Sequence, residues 1–183
     1  QCQWNTTYTP TAGWPPSDSV AARPVSNIDW CDAYQYCRSV GKHLCGSPAG
    51  GPTTFANFAD AASSEWHNAC SAQGVNSFPY GTTFADWRCN GPGYTYSDTI
   101  GGPHAIDANA ATQCIGGTPG LHDMSGNVAE WEDSCDAVQG ASDSCHVRGG
   151  SYLGAAEGDV ACATERTLRR DTTAPDVGFR CCL

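Results

Sequence analysis

The run Gly120-Leu121-His122-Asp123-Met124-Ser125-Gly126-Asn127-Val128-Ala129-Glu130-Trp131 decides how the rest of the chain is read. Asp123 and Glu130 place carboxylates at the two ends of eight residues, with the main-chain carbonyls of Gly126 and Val128 between them. A turn followed by an extended segment aims alternate carbonyls inward, which suits calcium, an ion that takes about six to eight oxygens at roughly 2.3 to 2.6 Å. The same two carboxylates serve as well to cap turns or to pair with Arg148 or Arg180, as most surface carboxylates do. Downstream, short strands are predicted over Val128 to Trp131, His146 to Tyr152, Val160 to Glu165 and Gly178 to Cys182.

Upstream, Ile28, Trp30, Ala33, Tyr34, Cys37 and Val40 recur at three and four within Ser26 to Val40. They predict a helix with Asp29 as its N-cap and Gly41 as its stop. Phe55, Phe58, Ala59, Ala62 and Trp66 predict a second helix from Phe55 to Cys70. From Ser71 to Gly120 turn residues dominate, and a long looped region is expected, held by bonds other than a sheet ladder. The first 24 residues carry four Pro and neither period. Residues 1–22 therefore read as an N-terminal arm packed on a domain of residues 23–183, tied down by Cys2. Asn5-Thr6-Thr7 fits a glycosylation acceptor pattern, and no internal repeat is present.

At 183 residues the chain is of one-domain size. Its 21 Gly and 11 Pro, against only 15% charged residues, exclude coiled coils and helical bundles. Nine basic against nineteen acidic residues give a net charge of -10, which disfavours nucleic acid and anionic lipid surfaces. No stretch approaches the roughly 18 apolar residues of a membrane span, and no basic-then-apolar leader is seen, so a mature soluble chain is expected. Twelve cysteines without a C-x2-C pair or a zinc-finger histidine set read as disulfides, and hence as a secreted, extracellular or periplasmic protein. Eight Arg against one Lys suit fixed hydrogen-bonding roles.

Four ordered blocks resemble the sulfatase-modifying-factor domain, typified by formylglycine-generating enzymes. They are Arg23-Pro24-Val25 through Trp30-Cys31-Asp32-Ala33, Tyr36-Cys37 and Gly41-Lys42-His43-Leu44; Glu65-Trp66 through Cys70 with Phe78-Pro79-Tyr80-Gly81; the Gly120 to Trp131 run, the most specific; and Arg148-Gly149-Gly150-Ser151-Tyr152 with Gly178-Phe179-Arg180-Cys181. The resemblance implies an α+β fold of C-type-lectin-like type, poor in regular secondary structure and rich in disulfides. It implies calcium at Asp123, Gly126, Val128 and Glu130, and a second ion at Asn90, Gly91, Asp98 and Ile100, so one or two Ca2+ are expected. It implies the pairs Cys37 with Cys181 and Cys70 with Cys162. Cys135 with Cys145 and Cys89 with Cys114 suit local closures, and the partners of Cys2, Cys31, Cys45 and Cys182 stay open.

Enzymes of this family use two cysteines after the Gly-Gly-Ser block to hold copper(I) and oxidise a substrate cysteine. The matching positions here are Gly154 and Glu157, neither of which offers sulfur to a soft ion. There is no room for the helical domain that supplies iron-binding histidines in other branches, so neither copper nor iron is expected. His43, His67, His104, His122 and His146 are scattered, and no G-x-S-x-G occurs. The reading that results is a calcium-stabilised pseudoenzyme that binds an extracellular protein or glycan or assembles with itself. An oxidoreductase with relocated metal ligands and a structural subunit of an extracellular fibre or surface layer are the alternatives. Tyr8, Trp14, Tyr80, Trp87, Tyr94 and Tyr96 lie in loop-rich stretches where they can stack on a ligand or anchor the core.

Overall fold

The fold comes from a computed structural model that describes residues 1–17, 21–94, 103 and 114–183. Helix α1 runs over Trp30–Ser39. The Asp29 carboxylate accepts from the Asp32 backbone N–H at 2.9 Å, and the Asp32 carboxylate accepts from the Asp29 N–H at 3.2 Å. Two donors that a helix start leaves unpaired are thus satisfied reciprocally. Trp30, Cys31, Ala33 and Cys37 form the buried face, and Gly41, at φ +75°, turns the chain out of the helix.

The predicted second helix is mostly absent. Phe55–Asn57 is one 3-10 turn, and α2 spans only Glu65–Cys70. Asp60 and Ser64 explain the break: the Asp60 carboxylate accepts from the Ala62 N–H and the Ser63 hydroxyl, while the Ser64 hydroxyl accepts from the His67 N–H and starts a new helix. Such short side chains compete with the helix for its own backbone groups.

Strands β1 (His43–Leu44), β2 (Ala129–Cys135), β3 (Ser144–Arg148), β4 (Thr167–Arg169), β5 (Val177–Phe179) and β6 (Cys181–Cys182) make two sheets. β1 pairs antiparallel with β6, and the larger sheet runs β4-β3-β2-β5 with β2 and β5 parallel. The strand predicted at Val160 to Glu165 is a correction: a 3-10 turn over Glu157–Val160 and a bend stand there, and β4 follows. The strand predicted to Tyr152 stops at Arg148 because Gly149 and Gly150 take φ +79° and +65°, and a Cβ on Gly150 would sit 2.1 Å from the Asp159 carbonyl oxygen. In the described part of 71–120, the sheet contacts outside named strands are the isolated bridges Phe78 to Gly81 and Ile115 to His122.

The core comes in two parts. Trp30, Leu44, Trp131, Val147 and Val177 fill the space between α1 and the larger sheet, and Trp66, Met124 and the Cys70–Cys162 bridge fill the other. Each large indole N–H finds an acceptor: Trp30 donates to the Glu132 carbonyl, Trp131 to the Ile28 carbonyl and Trp66 to the Glu130 carboxylate. All twelve cysteines are paired. The bridges are Cys37–Cys181, Cys70–Cys162, Cys89–Cys114 and Cys135–Cys145, the four pairs named from the sequence, together with Cys2–Cys31 and Cys45–Cys182. Six disulfides suit an oxidising setting. Among the described residues no helix is long and apolar enough to cross a membrane.

Candidate functional site

The segment Asp123 to Glu130 opens as a turn and enters β2. Asp123, Gly126 and Asn127 take φ +56°, +72° and +61°, so the backbone reverses tightly before Ala129 joins the sheet. Gly126 is required by contact as well as by φ, since a Cβ there would stand 2.3 Å from the Asn90 carbonyl oxygen. That oxygen accepts from the Asn127 N–H at 2.7 Å, and the Asn90 side-chain amide donates to the Asn127 side chain at 3.3 Å. The two residue sets expected to bind separate ions therefore meet: Asn90 and Gly91 lie directly on the turn that carries Gly126. Asp98 and Ile100 lie outside the described residues.

Asp123, Val128 and Glu130 line one cavity of about 620 Å3. Arg180 enters it from the chain between β5 and β6. Its Nε and Nη2 donate to the two Glu130 oxygens at 2.5 and 2.6 Å, and Trp66 donates to the same carboxylate at 2.8 Å. Three of the roughly four acceptor positions of a carboxylate are thereby used. Burial opposes the Arg180 charge, but the Glu130 carboxylate and the charge of Asp123 outweigh it and hold the guanidinium above its ordinary pKa. The donors are oxygens of the kind calcium takes, with Arg180 as competitor for Glu130. Among the described residues no three His, Cys, Asp or Glu side chains converge as a metal cluster.

The positions that match the copper-binding cysteines of the resembled enzymes are Gly154 and Glu157. Every cysteine is in a disulfide, so no thiolate is at hand. At Gly154 a Cβ would stand 3.2 Å from Pro92 Cδ and from the Ser151 carbonyl oxygen, so even the space for a longer side chain is partly taken. Glu157 is exposed on the 3-10 turn. These donors do not fit copper(I). A polar cavity of about 450 Å3 lies there, lined by Ser151, Gly154, Asp159, Thr164, Arg166 and Asp176. Within it the buried Asp176 carboxylate accepts from the Ser151 hydroxyl and from Arg166, both at 2.9 Å. The serine thus donates to a carboxylate already neutralised by an arginine, and among the described residues no histidine lines the cavity to take its proton.

Sequence reasoning missed one buried polar group. The Glu132 carboxylate accepts from Ser64 at 2.5 Å and lies 3.3 Å from Arg148 Nε, both side chains fully buried. Arg148 stands over Phe58 and Trp66, with ring centroids 4.7 and 5.0 Å away, and its Nη2 donates to the Cys162 carbonyl at 2.8 Å. Burial pushes Glu132 up to about 7, against the pull of Arg148 and the hydrogen bonds from Ser64 and Thr53. The signal was present in Glu130-Trp131-Glu132, yet β2 is buried on both faces, so alternation gave no reason to place a charge inside. Together with Arg170, which donates to Asp143 at 2.7 Å while lying over Trp30, these arginines fill the fixed roles expected of them.

The family model of the sulfatase-modifying factor enzyme 1-like domain matches residues 1–183. No curated protein matches the chain. Among solved structures, CarF is similar at a TM-score of 0.56 and 20% identity, over 92% of this chain and 70% of that one. Treponema denticola variable protein 1 is similar at 0.53 and 18%, over 87% and 70%. PvdO from Pseudomonas aeruginosa is similar at 0.56 and 16%, over 86% and 60%. At such identities the likeness is one of fold.

Proposed function

From the premise that the chain belongs to the sulfatase-modifying factor enzyme 1-like family, we propose that it is a non-catalytic member that binds a ligand in an oxidising, extracellular-type setting. One observation carries the proposal: the place where the family's enzymes keep copper-binding sulfur holds Gly154 and Glu157, and all twelve cysteines are consumed in bridges. An oxygen-dependent oxidation of a cysteine substrate needs a soft ligand to hold its metal, and this chain has no thiolate to offer. What supports binding is the frame: loops fixed by covalent bridges present side chains at low entropic cost.

Calcium belongs to the same proposal. Asp123 and Glu130 would hold it with the carbonyls of Gly126 and Val128, in exchange for part of the Arg180 contact. It would supply positive charge to a strongly acidic chain.

The test combines a thiol titration of denatured protein, a copper(I) binding assay and oxygen consumption with a cysteine-containing peptide. The expected result is no free thiol, no tight copper(I) and no oxygen uptake above buffer. Turnover of the peptide by copper-loaded protein would overturn the non-catalytic reading.

A further inference from the structure

The 620 Å3 cavity that contains Glu130 and Arg180 is larger than the pair needs, and it lies apart from the Gly154 cavity. Its size is that of a small-molecule pocket. Its walls are the N-terminal arm on one side and α1 with β5 on the other. Ile28, Val25 and Phe179 give it an apolar floor, and three rings stand at its rim half exposed: Tyr8 at 51%, Trp14 at 52% and Tyr36 at 56%. Contiguous apolar surface left open to water in this way marks a binding surface more often than a folding need. The arm is not free to swing away, because Cys2 is bonded to Cys31 and the Thr11 N–H donates to the Asn27 carbonyl at 2.9 Å. The rim at Tyr8, between these two tethers, is therefore pre-formed.

The charges in this cavity can be accounted for one by one. Glu130 is paired with Arg180. Asp32 spends its oxygens on the Asp29 N–H and on the Asn5 amide, at 3.2 and 2.9 Å. Asp123 lies within the field of Arg180. Arg23, half-buried in the wall, has no ion-pair partner among the described residues. A half-buried guanidinium with no ion pair among the described residues favours an anionic ligand, since it pairs with planar or tetrahedral anions through two parallel hydrogen bonds.

We propose that this cavity binds a small molecule built of a flat apolar body and one anionic group, with Arg23 meeting the anion and Trp14, Tyr8 and Tyr36 enclosing the body. The proposal rests on the reading of the chain as a binding domain, and it names the site and the ligand class.

The probe is 8-anilinonaphthalene-1-sulfonate, an aromatic body with one sulfonate, set against N-phenyl-1-naphthylamine, a similar body without charge. Titrations by fluorescence use the oxidised wild-type chain, Arg23→Gln, Arg23→Lys and Trp14→Ala, each checked for an unchanged melt. The wild type is expected to bind one sulfonate dye per chain. Arg23→Gln weakens that dye by about tenfold or more, as loss of one charge-assisted contact implies, and leaves the neutral dye unchanged. Arg23→Lys restores part of the loss, and Trp14→Ala weakens both dyes. Absence of saturable one-to-one binding overturns the proposal, as does a sulfonate affinity that Arg23→Gln leaves untouched. Copper-dependent turnover alongside Arg23-dependent dye binding would sink the non-catalytic reading and keep the pocket. Inert copper behaviour with no dye binding would do the reverse.

Discussion

His146 is a base enclosed where its charged form has no place. Its ring lies between Phe55 and Phe58, with centroids 4.2 and 4.4 Å away, and its Nδ1 meets the Ser134 hydroxyl at 3.0 Å. Burial, then the Arg148 cation, pushes it down to about 4, while a hydrogen bond with the Ser134 backbone opposes them. A folded value below the unfolded one of about 6.5 means that stability present above pH 6.5 is lost as pH falls toward 4. By pH 5 the loss is about 2 kcal/mol for this group alone. Asp29, Glu132 and Asp133 are pushed the other way, to about 6, 7 and 6 respectively, by burial, so the whole profile is a partial cancellation. The difference between parent and His146→Gln isolates the histidine. Denaturant melts at pH 7.5 and 5 should show a smaller acid loss in the variant, and an equal loss would refute the assignment. Calcium at Asp123 and Glu130 would act on stability through the same linkage. Bound as proposed and at a hundredfold excess over Kd, it would add about 2.7 kcal/mol, or about 5 to 10 °C in a chain of this size. A chelator should remove that increment from the parent and not from Asp123→Ala. A parent melt indifferent to chelator leaves Arg180 as the sole counter-ion of Glu130.

The paired ends of β1 and β6 set the behaviour of two elements at once. Cys37–Cys181 and Cys45–Cys182 close loops 144 and 137 residues long in sequence separation, the two crossing so that each contains one end of the other. With either bridge intact, the other closes only a short additional loop, so its removal costs about 3 kcal/mol. Removal of both opens the long loop as well and costs about 8 kcal/mol in the chain-entropy model. Cys→Ser pairs at each bridge and at both, compared by urea unfolding, should show this excess over additivity. Simple addition would mean that the bridges act on the native state instead. The same elements show what was legible. α1 was readable because its apolar spacing, its Asp29 cap and the Gly41 stop agree. The stretch after Phe55 carried the same spacing, but Asp60, Ser63 and Ser64 bind the backbone locally, and a hydrophobic period does not register that competition. In the candidate site, Asp123 and Glu130 are legible as anions in a family block, while the residues alone fit either a metal ion or an arginine as their cation. The choice of Arg180, 50 residues from Glu130, depends on how β5 lies beside β2, which no local pattern encodes.

At the scale of the whole molecule, two small core clusters and long irregular connections must be held by something besides burial. Six bridges supply it, and full reduction at pH 8 and 25 °C should abolish the near-ultraviolet circular dichroism of the three buried tryptophans together with cooperative unfolding. A reduced chain that still melts within a few degrees of the oxidised one would show that the apolar clusters suffice alone.

The long separations of Cys37–Cys181 and Cys45–Cys182 also have a meaning in time. A ribosome that adds about 5 to 20 residues per second needs roughly 7 to 30 s to deliver the second sulfur after the first. Through that interval two nascent thiols near α1 wait beside Cys31, Cys70 and Cys89, each able to trap them in a wrong pair. Correct maturation of this chain therefore depends on reshuffling, and the yield of native protein should rise with a disulfide isomerase more than with a stronger oxidant.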